Sequence, residues 1–110
     1  MSPGDAPDPN QPAGGAEGAG PVETRSVVIC NKRGLHARAA ARFVTLAERF
    51  GASVEVCRDG QSVNARSIMG LMMLGAGMGS TLELRAEGWD AREALDALAE
   101  LVEARFNEQD

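Results

Sequence analysis

Long apolar runs, a strong charge of one sign and a metal-binding grouping of cysteine and histidine are all missing from this sequence of 110 residues. No apolar stretch is long enough to span a bilayer as a helix, so membrane insertion is not expected. The net charge is −5, and Asp5, Asp8 and Glu17 supply −3 of it within a first segment that has no lysine or arginine, leaving −2 for the rest. A near-neutral chain offers no electrostatic footprint for nucleic acid or for an anionic membrane surface. The glycines around Gly75 to Gly79 fail as a nucleic-acid loop on the same ground. Two cysteines, Cys30 and Cys57, and a single histidine match no zinc spacing. No metal or cofactor is therefore expected. Free thiols fit a cytoplasmic protein, and a disulfide between the two stays open in principle.

Proline is absent after residue 21: Met1 to Pro21 hold all five prolines and five of the thirteen glycines, with almost no large apolar side chain. Such a segment cannot bury enough surface to offset its ordering entropy, so residues 1–21 read as a disordered acidic leader. It has neither a basic n-region nor an apolar h-region, so no secretory signal is expected. Residues 22–110 read as one domain, long enough to bury about 60–70% of its unfolded surface.

Regular periods begin at Val22. Thr24 to Cys30 alternates as a strand, with Val27 and Ile29 on one face and Val28 and Cys30 on the other. Ala40, Phe43, Val44, Ala47 and Phe50 then form a helical stripe, with Gly51 in the place of a closing glycine. Ser53 to Arg58 alternates again, Asp59-Gly60 signals a tight hairpin, and Gln61 to Asn64 returns. Ser67 opens a short apolar helix, Thr81 to Ala86 makes a fourth strand, and Leu95, Leu98, Val102 and Phe106 line a last helix. Asp90 and Glu93 have the spacing of a capping box there, with Trp89 placed to staple the entry. The order is β-α-β-β-α-β-α, an α+β fold with an antiparallel sheet and all helices on one face.

The lone histidine, His36, follows Gly34 and stands where the first helix opens. The first backbone N–H groups of a helix lack internal partners and carry partial positive charge, which favours anions. Arg38 adds a planar fork suited to phosphate oxygens. An imidazole in such a cradle can accept a phosphoryl group on one ring nitrogen while the other carries the proton. The plainer alternative is a histidine that only caps the helix. A second landmark is Asn64 to Leu74, where Ser67 is a natural N-cap and Ile68, Met69, Leu71, Met72, Met73 and Leu74 point all round a two-turn helix. Either the methionines fill core gaps beside Leu71 and Leu74, or they form a pliable exposed docking patch.

Gly34-Leu-His-Ala-Arg ahead of an alanine-rich helix, then Asn64-Ala-Arg-Ser-Ile-Met-Gly, together resemble the HPr phosphocarrier family. These are the small carriers of the bacterial phosphoenolpyruvate-dependent phosphotransferase system, and the resemblance runs from Glu23 to about Phe106. It implies an open-faced β-sandwich, four antiparallel strands covered on one face by three helices. It implies that His36 takes a phosphoryl group on Nδ1 from enzyme I and hands it to an EIIA-type protein, with Arg38 and the following amides steadying the group. Ser67 matches a serine that a dedicated HPr kinase/phosphorylase modifies in many bacteria. Ala37, Ile68, Met69 and Met72 match the surface shared by the partners. A monomeric carrier, and not a stand-alone catalyst, is implied, and no second acid–base residue is visible beside His36.

One departure is Ala39, where many members of the family have proline. Proline would preset φ in the first turn, and alanine leaves the cradle looser. Sugar and nitrogen branches of the system both stay open. The competing reading is a phosphorylation-controlled binding module that acts through Ile68, Met69 and Met72, with Ser67 as switch and His36 idle.

Overall fold

A computed structural model describes residues 21–108, so the leader expected at residues 1–21 lies, Pro21 apart, outside the described residues. Four strands, β1 (Val22–Val28), β2 (Ser53–Arg58), β3 (Gln61–Asn64) and β4 (Thr81–Glu87), form one antiparallel sheet in the order β1-β4-β2-β3. Helices α1 (Ala37–Ala47), α2 (Ile68–Met73) and α3 (Ala91–Glu103) complete the β-α-β-β-α-β-α order, followed by a short terminal turn at Arg105–Asn107.

Alternation builds the sheet's inner face. Val27 sits opposite Leu82, Val56 opposite Leu84 and Val54 opposite Ala86, all buried. The intervening Val28 is 52% exposed, which marks the other face as open. The first strand ends two residues earlier than its alternation suggests. Ile29 leaves the ladder with β4 but still donates to Ser80 O and accepts from Gly79 N–H, so the chain stays extended and Ile29 stays fully buried. The hairpin is as expected, with both turn residues left-handed (Asp59 φ 51°, Gly60 φ 83°), the geometry of a type I′ turn. Along the edge strand β1, Arg25 pairs with Asp96 and Glu23 approaches Arg92, so charge closes the seam with α3.

Two caps differ from their expected form. Helix α1 stops at Ala47, and the chain leaves it through Arg49 N–H to Leu46 O and Phe50 N–H to Ala47 O bonds. Gly51 is thus not a closing glycine; a Cβ there would lie 2.9 Å from Nε1 of the exposed Trp89 side chain. Asp90 is the N-cap of α3 but makes no side-chain cap bond. Its carboxylate instead accepts from the Gly51 and Ala52 amides, at 2.9 and 2.8 Å, because those two donors approach from the α1–β2 loop. Trp89 is 80% exposed and does not staple the entry.

Candidate functional site

The site grows out of the turn between β1 and α1. Gly34 has φ 68°, and a Cβ on it would meet Ala76 O at 2.5 Å, so only glycine lets the two loops come this close. Leu35 N–H then donates to the same Ala76 O at 2.9 Å, and the Leu35 side chain is buried. With the turn pinned from both sides, His36 falls at the N-cap of α1 in an extended conformation (φ −80°, ψ −179°). Its backbone carbonyl accepts the Ala40 N–H at 2.8 Å, and its Nδ1 accepts the Arg38 N–H at 3.3 Å.

That contact assigns the ring atoms. Nδ1 turns its lone pair toward the amides at the start of α1, where the Arg38 N–H meets it, which leaves Nε2 to carry the proton. Facing Nε2 is the Glu108 carboxylate, paired through Oε2 across 72 residues of chain. Both side chains are nearly enclosed, at 17% and 11% exposure. No carboxylate stands beside His36 in the local sequence; this one comes from the far end of the fold. Asn31 Nδ2 donates to Glu108 Oε1 at 3.1 Å and to Gly34 O at 2.9 Å, which ties the carboxylate to the same turn.

Arg38 and Ala37 are exposed on the first turn of α1, while Ala39 and Ala40 are fully buried. Among the described residues the Arg38 guanidinium has no hydrogen-bond or ion-pair partner, so it is free to meet an incoming anion. Ser67 caps α2 as expected, its Oγ accepting the Gly70 N–H at 2.9 Å. The apolar stretch divides by exposure, and its methionines do not fill core gaps. Leu71 and Leu74 are core, whereas Ile68 (40%), Met69 (69%), Met72 (41%) and Met73 (74%) are exposed. Helices α1 and α2 pack against each other, so the His36 end and the methionine-bearing helix belong to one assembly of elements. Cys30 and Cys57 are free thiols away from the imidazole: Cys30 Sγ donates to Val102 O, and Cys57 Sγ lies 3.4 Å from Ser62 Oγ.

Glu108 and Asn31 are the neighbours of the imidazole that sequence reasoning missed. Asn31 carries a weak signal, being a polar residue between a buried strand end and a turn glycine. Glu108 carries none, since its approach depends on the terminal turn.

Known proteins resemble this chain in sequence and fold. The family described as "PTS HPr component phosphorylation site" matches residues 23–104. The chain is 51% identical over 84 residues to the phosphocarrier protein HPr of Cupriavidus necator, which spans 76% of this chain and 94% of that one. It is 48% identical over 84 residues to the phosphocarrier protein NPr of Shewanella violacea, spanning 76% and 92%. The crystal structure of HPr-C-His from Thermoanaerobacter tengcongensis superimposes with a TM-score of 0.76 at 46% identity, covering 79% of this chain and 98% of the other.

Proposed function

The chain belongs to the HPr family of phosphotransferase-system phosphocarriers, and from that premise we propose that His36 Nδ1 accepts a phosphoryl group from enzyme I and passes it to an EIIA-type protein. The observation that carries the proposal is the orientation of the imidazole. Nδ1 turns its lone pair to the amides at the start of α1, engaged among the described residues only by the long 3.3 Å contact from the Arg38 N–H, which is where a phosphoryl group would find both a nucleophile and donors for its oxygens. Arg38 adds charge-assisted hydrogen bonds to the transferred group. The protein supplies one nucleophile and its cradle, and the partners supply the rest of each transfer site, as suits a carrier in place of a stand-alone catalyst.

Partners dock on Ala37 and on the exposed Ile68, Met69 and Met72, whose flexible side chains can repack against different surfaces. Ser67 is the regulatory position, open to an HPr kinase/phosphorylase. The carrier works in the cytoplasm as a monomer; among the described residues no helix is long and apolar enough to cross a membrane. A role in the nitrogen-related branch is the second reading, favoured by the 48% identity to an NPr, close to the 51% to an HPr.

Incubation with enzyme I and phosphoenolpyruvate, followed by intact mass measurement, tests the proposal. One acid-labile, base-stable phosphoryl group is expected, and it should vanish in His36→Ala. An unchanged mass gain in that variant sinks the assignment. Offering the phosphorylated protein to EIIA-type proteins of the sugar and nitrogen branches separates the two readings by which one drains it.

A further inference from the structure

We propose that Glu108 is a positioning residue for phosphoryl transfer, holding the proton on His36 Nε2 so that Nδ1 stays unprotonated in both directions of the reaction. The inference rests on the reading of His36 as the acceptor. Three anchors independent of the imidazole bring the carboxylate there. Phe106 is fully buried and fastens the terminal turn in the core. Arg42 of α1 donates through Nη1 to Phe106 O. Asn31, itself fully buried, gives Nδ2 to Glu108 Oε1 while its own Oδ1 finds no partner among the described residues. The Asn31 amide thus presents its donors to the carboxylate and to Gly34 O, and ties Glu108 to the turn that carries His36.

The backbone agrees. Arg105, Phe106 and Asn107 all take left-handed conformations (φ 58°, 55° and 62°), and none is glycine. Strain of this kind persists only where surrounding contacts over-determine it, and it gathers at functional sites. Here its result is to turn the chain back so that Glu108 reaches His36.

The chemistry gives the contact a purpose. When Nδ1 attacks, its lone pair forms the P–N bond and the bond from phosphorus to the donor atom breaks, its pair leaving with the donor. The ring keeps its Nε2 proton and gains one positive charge, which the Glu108 carboxylate faces directly. On the return step the P–N pair goes back to Nδ1, and the ring leaves neutral because Nε2 never lost its proton. Without that proton it would have to leave as an anion. Proton count is unchanged throughout, and no further reactant is needed.

The full chain has one histidine, so its ring signals are unambiguous in ¹H and ¹⁵N NMR. A downfield Nε2–H resonance protected from exchange is expected in the parent. Glu108→Ala should lose it to exchange and accept phosphate from enzyme I more slowly, on the order of tenfold. Glu108→Gln keeps an acceptor oxygen without the charge, so its resonance should survive, moved upfield, with an intermediate rate. Unchanged thermal midpoints confirm that both variants fold. Identical ring spectra for the parent and Glu108→Ala, or an unchanged acceptance rate, overturn the proposal. The spectra need no partner protein, so failure of the acceptor reading shows itself separately, as a mass gain that survives His36→Ala.

Discussion

Asp90 Oδ1 accepts the Ala52 N–H at 2.8 Å, joining the start of α3 to the loop that leaves α1. Ala52 is 1% exposed and Asp90 5% exposed, so this amide has no water to fall back on. The second oxygen takes the amide of Gly51, which is exposed and can be hydrated when the carboxylate is lost.

Asp90→Ala should therefore lower stability by about 2–3 kcal/mol, most of it from the stranded Ala52 amide. For a domain of this size that is a fall in Tm of roughly 10 °C or more. Asp90→Asn keeps one acceptor and should lose about half as much. Denaturant unfolding of the three proteins checks the order, and an Asp90→Ala midpoint equal to the parent's refutes the bond's role.

The same residue shows where local reading stops. Asp90 and Glu93 have capping-box spacing, but spacing cannot reveal that two loop amides compete for the carboxylate and win it. Patterns complete within a few residues were legible: the Asp59-Gly60 turn, the alternation of Val54 and Val56, the Ser67 cap, and His36 at a helix start. The His36–Glu108 contact was not. It spans 72 residues and needs a left-handed turn built from Arg105, Phe106 and Asn107, residue types that announce no such turn. Half of the imidazole's surroundings could be read from its neighbours, and the other half exists only once the sheet and helices bring the chain's two ends of the domain together.

On the proposed carrier role, Arg38→Ala should slow phosphoryl acceptance by about 10–100-fold while leaving the fold intact. The side chain is exposed and unpartnered among the described residues, so its removal breaks no structural contact. Because the Arg38 side chain is exposed to solvent, added salt should narrow the gap between the two proteins. Stopped-flow transfer rates at two ionic strengths measure both effects; equal rates remove Arg38 from the mechanism.

Ala39→Pro should raise stability by roughly 0.4–1 kcal/mol, by restricting the unfolded chain. Ala39 is the third residue of α1, and its N–H precedes the first intrahelical bond, which begins at Ala40. Proline removes a donor that the helix does not use there. The site is fully buried, so the ring must fit against the core. A lower midpoint in thermal unfolding would show that this core has closed around alanine.

A phosphate on Ser67 should weaken docking of enzyme I without unfolding the domain. The Oγ already faces the Gly70 N–H, so phosphate oxygens can keep the capping role. The added charge of roughly −1.5 to −2 then sits beside Ile68, Met69 and Met72, all exposed. A partner covering that apolar surface would have to strip water from the phosphate, and any carboxylate it brings would be repelled. The imidazole keeps its own contacts to Arg38 and Glu108, so the loss should fall on binding and leave the chemical step alone. The expected rise in Kd is tenfold to a hundredfold, or about 1.4–2.8 kcal/mol. Ser67→Asp carries less charge and should shift Kd in the same direction by less. Titrating enzyme I against the unmodified, phosphorylated and Ser67→Asp proteins measures the series. Equal affinities across it would mean that Ser67 does not act through this surface.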